Sequence, residues 1–502
     1  MAAFQKHLNE MSIPHMETDV LIIGYGFAGA VAAITAHDCG AKVVIVEKMP
    51  RAGGNSCYSA GNLGVVRPEA SAAFAQYLDR LNLGMTPYDV FEAYAQGSEK
   101  LEKWVSGLGG ELVPRISALA NTFPGVVEGP AFPKIAPSRN MFDIRVAKGP
   151  AELPPALRMW DFLSRNVSNR GIEIQLNCRA RELTRAADGA IVGAVVEHNG
   201  QLRRISANRA VVLTCGGFEN APELLNNFVA SKPIMFAGSP GNTGDGVRMA
   251  QLVGADLWHM AQTATLIGYK AAEYDAAFCI FFRGPGFIYV DKYGERYIDE
   301  TAIELHDFDR VFSHFDPVNI EYPRIPSWAI FNEKTLKAGP LTWSIAGYNR
   351  DIYQWSADNQ AEIDRGWIVK AATLDLLAER LGLHSETLKH TFFTYNTACE
   401  TGKDSVFDRE PTSLEQLMPP FYAIPLHPVM VNTQGGPKRD ARARVIDPNN
   451  NPIPRLYAAG ELGSIWGPLY DGAGNLTECL VFGRIAGQNA SRETPHDSRQ
   501  SG

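Results

Sequence analysis

Three glycines and a carboxylate are the first residues of this chain whose spacing implies chemistry. Gly24, Gly26 and Gly29 form GxGxxG inside "TDVLIIGYGFAGAVAAITAHDCGAKVVIVEK", with Phe27 and Ala28 between the second and third. An apolar run from Val20 to Ile23 precedes them, a small-residue helix follows, and a second strand, Lys42 to Val46, ends at Glu47 and Lys48. That order is a βαβ unit. Gly24 permits the tight turn, Gly26 lets the backbone approach a pyrophosphate, and Gly29 allows close packing of a helix whose N-terminal N–H groups then face the phosphates. Glu47, roughly 20 residues on, is placed to accept hydrogen bonds from a ribose diol. NAD and FAD both satisfy this pattern.

Later segments add candidates. "RAGGNSCYSAGNLG" places Gly54, Asn55, Ser56, Ser59, Gly61 and Asn62 directly after the second strand, a loop able to offer N–H groups and small hydroxyls to a long, extended cofactor. The apolar runs in "GIEIQLNCRARELT", "IVGAVVEHNG" and "RISANRAVVLTCGGF" read as strands, with a hairpin turn at Asn199 and Gly200; they bring in Ala180, Thr214, Cys215 and Gly216. "NTGDGVRMAQLVGA" reads as a turn entering a helix at Asp245. "IPRLYAAGELG" is a short strand ending at Glu461, and "GAGNLTECLVFGRIAGQNA" is a turn before a helix starting near Asn475 and Leu476. A helix N-terminus there would stabilise negative charge on a reduced flavin.

These elements have to be held by a large fold. With 502 residues, 45% of them hydrophobic, the chain can bury a sizeable core, and 46 Gly with no repeat excludes collagen-like and coiled-coil readings. A net charge of -8 disfavours nucleic acid as a partner. No apolar run reaches the roughly 18 residues of a spanning helix, so a cytoplasmic protein with no transmembrane segment is expected. The seven cysteines are scattered and read as reduced, mostly buried thiols; the eleven histidines form no zinc pattern, and no metal is expected. From about Leu257 to Pro428 the chain turns rich in aromatics, Pro and charge, the composition of an inserted lobe, with "FYAIPLHP" as the return crossing. Asn121 to Pro150 reads as a long Pro/Gly-rich connection, and His259 as structural with no visible partner.

Taken together, "GYGFAG", "EKMPRAGGNS", "TCGGF", "NTGDG" and "YAAGE…GNLTECLVFGRIAG" resemble the fumarate reductase/succinate dehydrogenase flavoprotein superfamily over nearly the whole chain. The resemblance implies an α/β fold: a Rossmann-like, doubly wound FAD-binding domain in two parts (17–260 and 430–490), an inserted α+β capping domain (261–429), and flexible tails at 1–16 and 491–502. The active site would lie between the two domains. Covalently flavinylated members carry a histidine in the loop here reading "GGNSCYS", so noncovalent FAD is implied.

The same resemblance bears on the reaction. "FFRGPGFIYVDKYGERYIDETAIE" is similar to the cap segment of fumarate reductases, with Arg283 on the first arginine and Glu304 on the proton-donating one. The dicarboxylate-binding histidine falls near Val431 and Asn432, the arginine before the C-terminal helix falls on Tyr470, and Trp466 replaces a further histidine as an apolar wall. Without those cations fumarate is a poor substrate. "YDGAG" resembles instead the YxGxG element of the 3-ketosteroid dehydrogenases, which puts a ketone oxygen on the Tyr470 hydroxyl and the Gly474 N–H. Two neutral donors on a carbonyl acidify the α C–H. The alignment gives Glu304 as the base, with His306, Tyr289 and Tyr297 as competitors. The expectation is an FAD-dependent α,β-dehydrogenase of a neutral, cyclic or steroidal ketone with an unknown electron acceptor. An ene-reductase running the reverse reaction and a flavin oxidase are the alternatives.

Overall fold

The computed structural model describes residues 14–115, 141–342 and 351–496. Strand His15–Ile23 lies at the centre of a large sheet, parallel to Val43–Val46 on one side and to Gln201–Leu213 on the other. Val20 to Ile22 are fully buried, because both faces of the sheet are covered; this is why the run is continuously apolar and not alternating. Pro452–Ala458 continues the sheet parallel to Gln201–Leu213, and Glu173–Gln175 closes the other side beyond Val43–Val46. Cys178–Arg185 and Ile191–His198 extend it antiparallel. The turn at Asn199 and Gly200 has φ of 51° and 79°, the double positive φ of the two-residue hairpin that Asn-Gly favours.

Register decides where the site forms. Ile23 is opposite Leu213, and Leu213 is opposite Ala458, so Gly24, Thr214 and Ala459 leave the sheet side by side at its carboxyl edge. Open α/β sheets bind ligands there. Helix Phe27–Asp38 starts at that edge, buried from Phe27 to Ile34, and the last helix, Gly474–Arg492, packs on it with Gly483 against the Ala28 backbone.

The second sheet is organised by one long strand, Phe421–Thr433. It pairs antiparallel with Thr263–Tyr269, Ser327–Phe331 and Val369–Ala371, and parallel with Met235–Phe236. Its side chains alternate between two cores, Tyr422, Ile424 and Leu426 facing one and Phe421 and Ala423 the other. The sequence division at 429/430 falls inside this continuous strand, and Met235–Phe236, far upstream, belongs to the same sheet.

Both ends of the chain differ from the sequence reading. The first strand already begins at His15, and the last helix runs to Arg492. Beyond it, the His496 N–H donates to Asn208 O at 2.7 Å. Most of the Asn121 to Pro150 connection lies outside the described residues; from Phe142 to Ala147 it is a strand pairing with Leu63–Val66. No helix of the described residues is long and apolar enough to cross a membrane.

Candidate functional site

At the carboxyl edge of the first sheet opens a cleft of about 760 Å³. Gly24 turns with φ +106°, and a Cβ there would sit 2.3 Å from Thr214 O, so only glycine fits. Gly26 borders the cleft itself, and the uncapped N-terminus of helix Phe27–Asp38, with no acidic residue in its first turn, points its free N–H groups the same way. Glu47 ends the neighbouring strand, where its two carboxylate oxygens accept the Tyr25 and Met49 N–H groups, each at 2.8 Å. Each oxygen retains a lone pair for a diol.

Charge in this cleft is paired. Lys48 Nζ donates to Asp245 Oδ2 at 3.0 Å and to Thr243 Oγ1 at 2.5 Å, and Arg179 donates to Asp245 Oδ1 at 2.6 Å. Burial works against the Asp245 charge, but hydrogen bonds from Arg179 and Lys48 hold it below the usual carboxylate range. Glu461 lines the cleft beside buried Glu219: the Thr433 N–H reaches Glu219 Oε1 at 2.9 Å and Glu461 Oε1 at 3.2 Å, and Asn242 Nδ2 donates to Glu461 Oε2. Burial first, then the Glu219 charge, pushes Glu461 well above its ordinary value. Burial lifts the thiols of Cys215 and Cys479 to about 12, which leaves them chemically quiet.

Of the cofactor candidates, Phe27, Ala28, Gly54, Asn55, Ser56, Ala180, Thr214 and Gly216 also border the cleft. Others take structural positions. A Cβ on Gly29 would lie 2.1 Å from Gly24 O, which fixes the turn against the helix. Gly61 packs on Ala156, and Ser59 Oγ donates to Ser56 O. Asn62 Oδ1 is buried with no hydrogen-bond partner among the described residues. Asn475 donates from Nδ2 to Asn432 Oδ1, and Leu476 is buried.

A second cluster forms where the loop before the last helix meets residues 304–307. Thr265 N–H donates to His306 O at 2.7 Å and Asp307 N–H to Glu304 O at 2.9 Å, so strand Thr263–Tyr269 holds this turn. From the turn, Arg310 Nε donates to Pro468 O at 3.0 Å and draws the facing loop in. The Tyr470 ring then stands edge-on between His306 and Trp466, with centroids 5.0 Å away in both cases. The Tyr470 oxygen accepts the Asn475 N–H at 3.1 Å. Burial raises this phenol well above its ordinary value, the Gly474 and Asn475 N–H groups opposing more weakly, so it remains a donor. Glu304 accepts the His306 backbone N–H at 2.7 Å and meets its Nδ1 at 3.0 Å.

Carboxylates dominate this cluster. Burial, reinforced by the Glu304 charge, pushes both Asp471 and Asp307 up to about 7. Asp471 Oδ1 is buried without a hydrogen-bond partner among the described residues. Burial lowers the His306 imidazole, but the charge and hydrogen bond of Glu304 outweigh it and leave the group above its ordinary value.

Residues 19–476 match the protein family described as FAD binding domain. The chain belongs to this family. As a member it is an FAD-dependent oxidoreductase, and noncovalent FAD is consistent with the cleft, whose described lining holds no histidine. A probable fumarate reductase of Shewanella frigidimarina is 28% identical, aligned over 95% of this chain and 76% of its own length. The vinyl phenol reductase of Lactiplantibacillus plantarum is 24% identical over 97% of this chain and 98% of its own. A crystal structure of 3-ketosteroid Δ1-dehydrogenase from Sterolibacterium denitrificans superposes with a TM-score of 0.80 at 21% identity, covering 95% of this chain and 99% of that one, a likeness of fold.

Within the FAD binding domain family framework, several sequence expectations change. His259 has partners: its Nδ1 lies 2.7 Å from Ser464 O and its Nε2 3.2 Å from Thr86 Oγ1, and burial pulls it down to about 4. Trp466 is 2% exposed and supports Tyr470 more than it walls a cavity. Arg283 donates to Pro340 O and lies along Gly339. Tyr289 and Tyr297 belong to an aromatic core packed on the second sheet, the latter bonded to Ser327. Cys39 is exposed, unlike the buried thiol expected. Sequence reasoning also missed Arg179, Ser239 and Asn242 at the cleft; Asn242 opens the "NTGDG" block, so its signal was at hand.

Proposed function

We propose that this flavoprotein introduces a double bond α,β to a neutral ketone, of cyclic or steroidal type. One observation carries the reading. The buried Tyr470 hydroxyl accepts a helix N–H on its oxygen, which leaves its own proton as a donor, and its ring packs edge-on against His306 of the Glu304–His306 pair. Tyr470 O–H and the Gly474 N–H would hold the carbonyl oxygen and stabilise negative charge as it develops there. Trp466 and His306 fix the Tyr470 ring from two sides, so the donor costs no reorganisation. The 304–306 turn would take the α-proton. FAD, when bound, supplies the acceptor for the β-hydride.

Charge supports a neutral substrate. Glu304 and Asp471 act on Tyr470, Asp307 lies behind them beside Glu304 and His306, and Arg310, which reaches the loop, already binds Pro468 O. An anionic dicarboxylate would meet repulsion there. The names of the two sequence relatives favour the reverse direction, reduction of an activated alkene, as a second reading. Microscopic reversibility gives the same residues both tasks.

The test uses FAD-loaded protein without oxygen. Cyclohexanone should bleach the oxidised flavin, or cyclohexenone should restore its colour after photoreduction; the faster of the two assigns the direction. Tyr470→Phe should keep its FAD and lose about 100- to 1,000-fold in either rate. A Tyr470→Phe variant with wild-type rates would remove the carbonyl-holding role and with it this reading.

A further inference from the structure

Resting on the reading above, we propose that His306 Nε2 is the atom that exchanges the α-proton of the substrate, and that Glu304, the residue at the aligned proton-donor position, is a positioning residue for it. The assignment comes from how the two side chains are engaged.

Glu304 is turned toward its neighbour. Oε2 accepts the His306 backbone N–H at 2.7 Å, and Oε1 and Oε2 lie 3.0 and 3.2 Å from His306 Nδ1. With only 9% of its side chain exposed, against 19% for His306, the carboxylate is the inner member of the pair. A carboxylate facing Nδ1 places the ring proton on that nitrogen and leaves Nε2 with a bare lone pair. Nε2 has no hydrogen-bond partner among the described residues, whereas Nδ1 is fully used. A neutral imidazole oriented by an acid on its far nitrogen is the arrangement of a general base.

The position suits the proton. His306 stands edge-on to Tyr470, their ring centroids 5.0 Å apart and planes at 85°. The α-carbon is one bond from the carbonyl whose oxygen Tyr470 would hold, so the base must border the ring of that tyrosine. Glu304 is next to the 470–474 loop too, with Oε1 3.4 Å from where a Cβ on Gly472 would be, but both of its oxygens are engaged by His306, through the backbone N–H and Nδ1, whereas Nε2 is not engaged by any described residue. Tyr470 is kept protonated by burial and is no rival base. The remaining ionisable groups facing His306 are Asp307 on its own turn and Asp471 on the facing loop. Both favour a positive ring.

In the oxidative direction the α C–H bond breaks and its proton bonds to Nε2. The electron pair left behind would form the new C=C bond as the β C–H pair leaves as hydride, for which FAD, when bound, would be the acceptor. His306 ends as imidazolium against Glu304, and in the reverse direction it returns the proton. Base and orienter are thus adjacent on one turn, two residues apart in sequence.

The experiment compares His306→Gln, His306→Ala and Glu304→Gln as holoenzymes. In single turnovers with cyclohexanone or cyclohexenone, both His306 variants should fall by about 100- to 10,000-fold, and added imidazole should restore part of the His306→Ala rate. Glu304→Gln should keep a measurable rate, and its oxidative pH profile should rise at lower pH than wild type, because the charge that raises His306 is gone. A His306 variant within tenfold of wild type overturns the proposal. So does a Glu304→Gln protein as inactive as His306→Ala with no shift of the profile. Nitrogen-15 NMR of histidine-labelled wild type, assigned with His306→Gln, reads the tautomer without any substrate: Nδ1–H is expected, and Nε2–H overturns the assignment. If wild type ignores both ketone and enone while the Nδ1–H tautomer is present, the proposed substrate class fails and the Glu304–His306 arrangement stands.

Discussion

The cofactor cleft and the Tyr470 cluster handle charge in opposite ways. Around Gly24 the groups that border the cleft include backbone N–H groups at the ends of parallel strands, and Lys48 and Arg179 share the single carboxylate of Asp245. Around Tyr470 the groups are side chains from two sheets, and acid is in excess: Asp307 and Asp471 are both pushed to about 7 by burial and by Glu304. A binding site gains from fixed, preorganised polarity, while a proton-transfer site needs groups whose charge can change near neutral pH.

The contrast can be broken from either side. Gly24→Val should have the largest effect, because its Cβ would lie 2.3 Å from Thr214 O at a φ of +106°. The expected result is protein without flavin absorbance and with a strongly lowered melting temperature; a yellow, stable variant would show that the turn is not the cofactor cradle. Gly474→Ala should spare FAD and damage turnover instead. A Cβ there would fall 1.8 Å from Trp466 Cζ2, so the indole must move and take Tyr470 with it. A loss on the order of 100-fold in rate is expected, read by stopped-flow with the flavin content checked in parallel.

Asp471→Asn gives the smallest and most diagnostic change. The folded protein holds the Asp471 proton up to about 7, against an ordinary value of 3.8, so the native state binds that proton more tightly than the unfolded chain. Stability from this group is present at low pH and is lost as pH rises from about 4 to about 7. Replacing it by Asn should flatten that decline and raise stability at pH 8 by on the order of a few kcal/mol, Asp307 still contributing over the same window. Melting temperatures at pH 5 and pH 8 decide it, and equal differences in both proteins would show Asp471 to be solvated.

How much of this could be read beforehand follows from what each residue is asked to do. Gly24 and Gly29 serve backbone contacts that only glycine permits, and Glu47 follows them at a fixed distance along one βαβ unit, so local sequence carries them. Arg179 is adjacent to Ala180, but strand residues alternate faces and its direction depends on register. Glu219 and Glu461, far apart in sequence, meet in space and share the N–H of Thr433 from the other sheet. The 304–306 turn and Tyr470 are likewise joined by tertiary packing, through Thr265 and Arg310. Family resemblance pointed to Glu304; choosing between it and His306 as the proposed base requires knowing which atoms are already bonded. Tyr289 and Tyr297 were equal candidates by type, and only the structure shows that they belong to the aromatic core packed on the second sheet.

Strand Phe421–Thr433 carries a further consequence, for engineering. It enters among the buried aromatics of the cap and finishes with Val431 O accepting from Asn55 and the Thr433 N–H on the acidic pair at the floor of the FAD cleft. The lobe is therefore not a detachable cassette. Excising it, or exchanging it for the lobe of a relative with the splice placed at the end of the apparent insertion, would cut a tie-rod and leave Asn55, Glu219 and Glu461 without their backbone partners. A chimaera that retains yellow colour has to carry residues 429–433 in their native register, with Met235–Phe236 still laddered beside them.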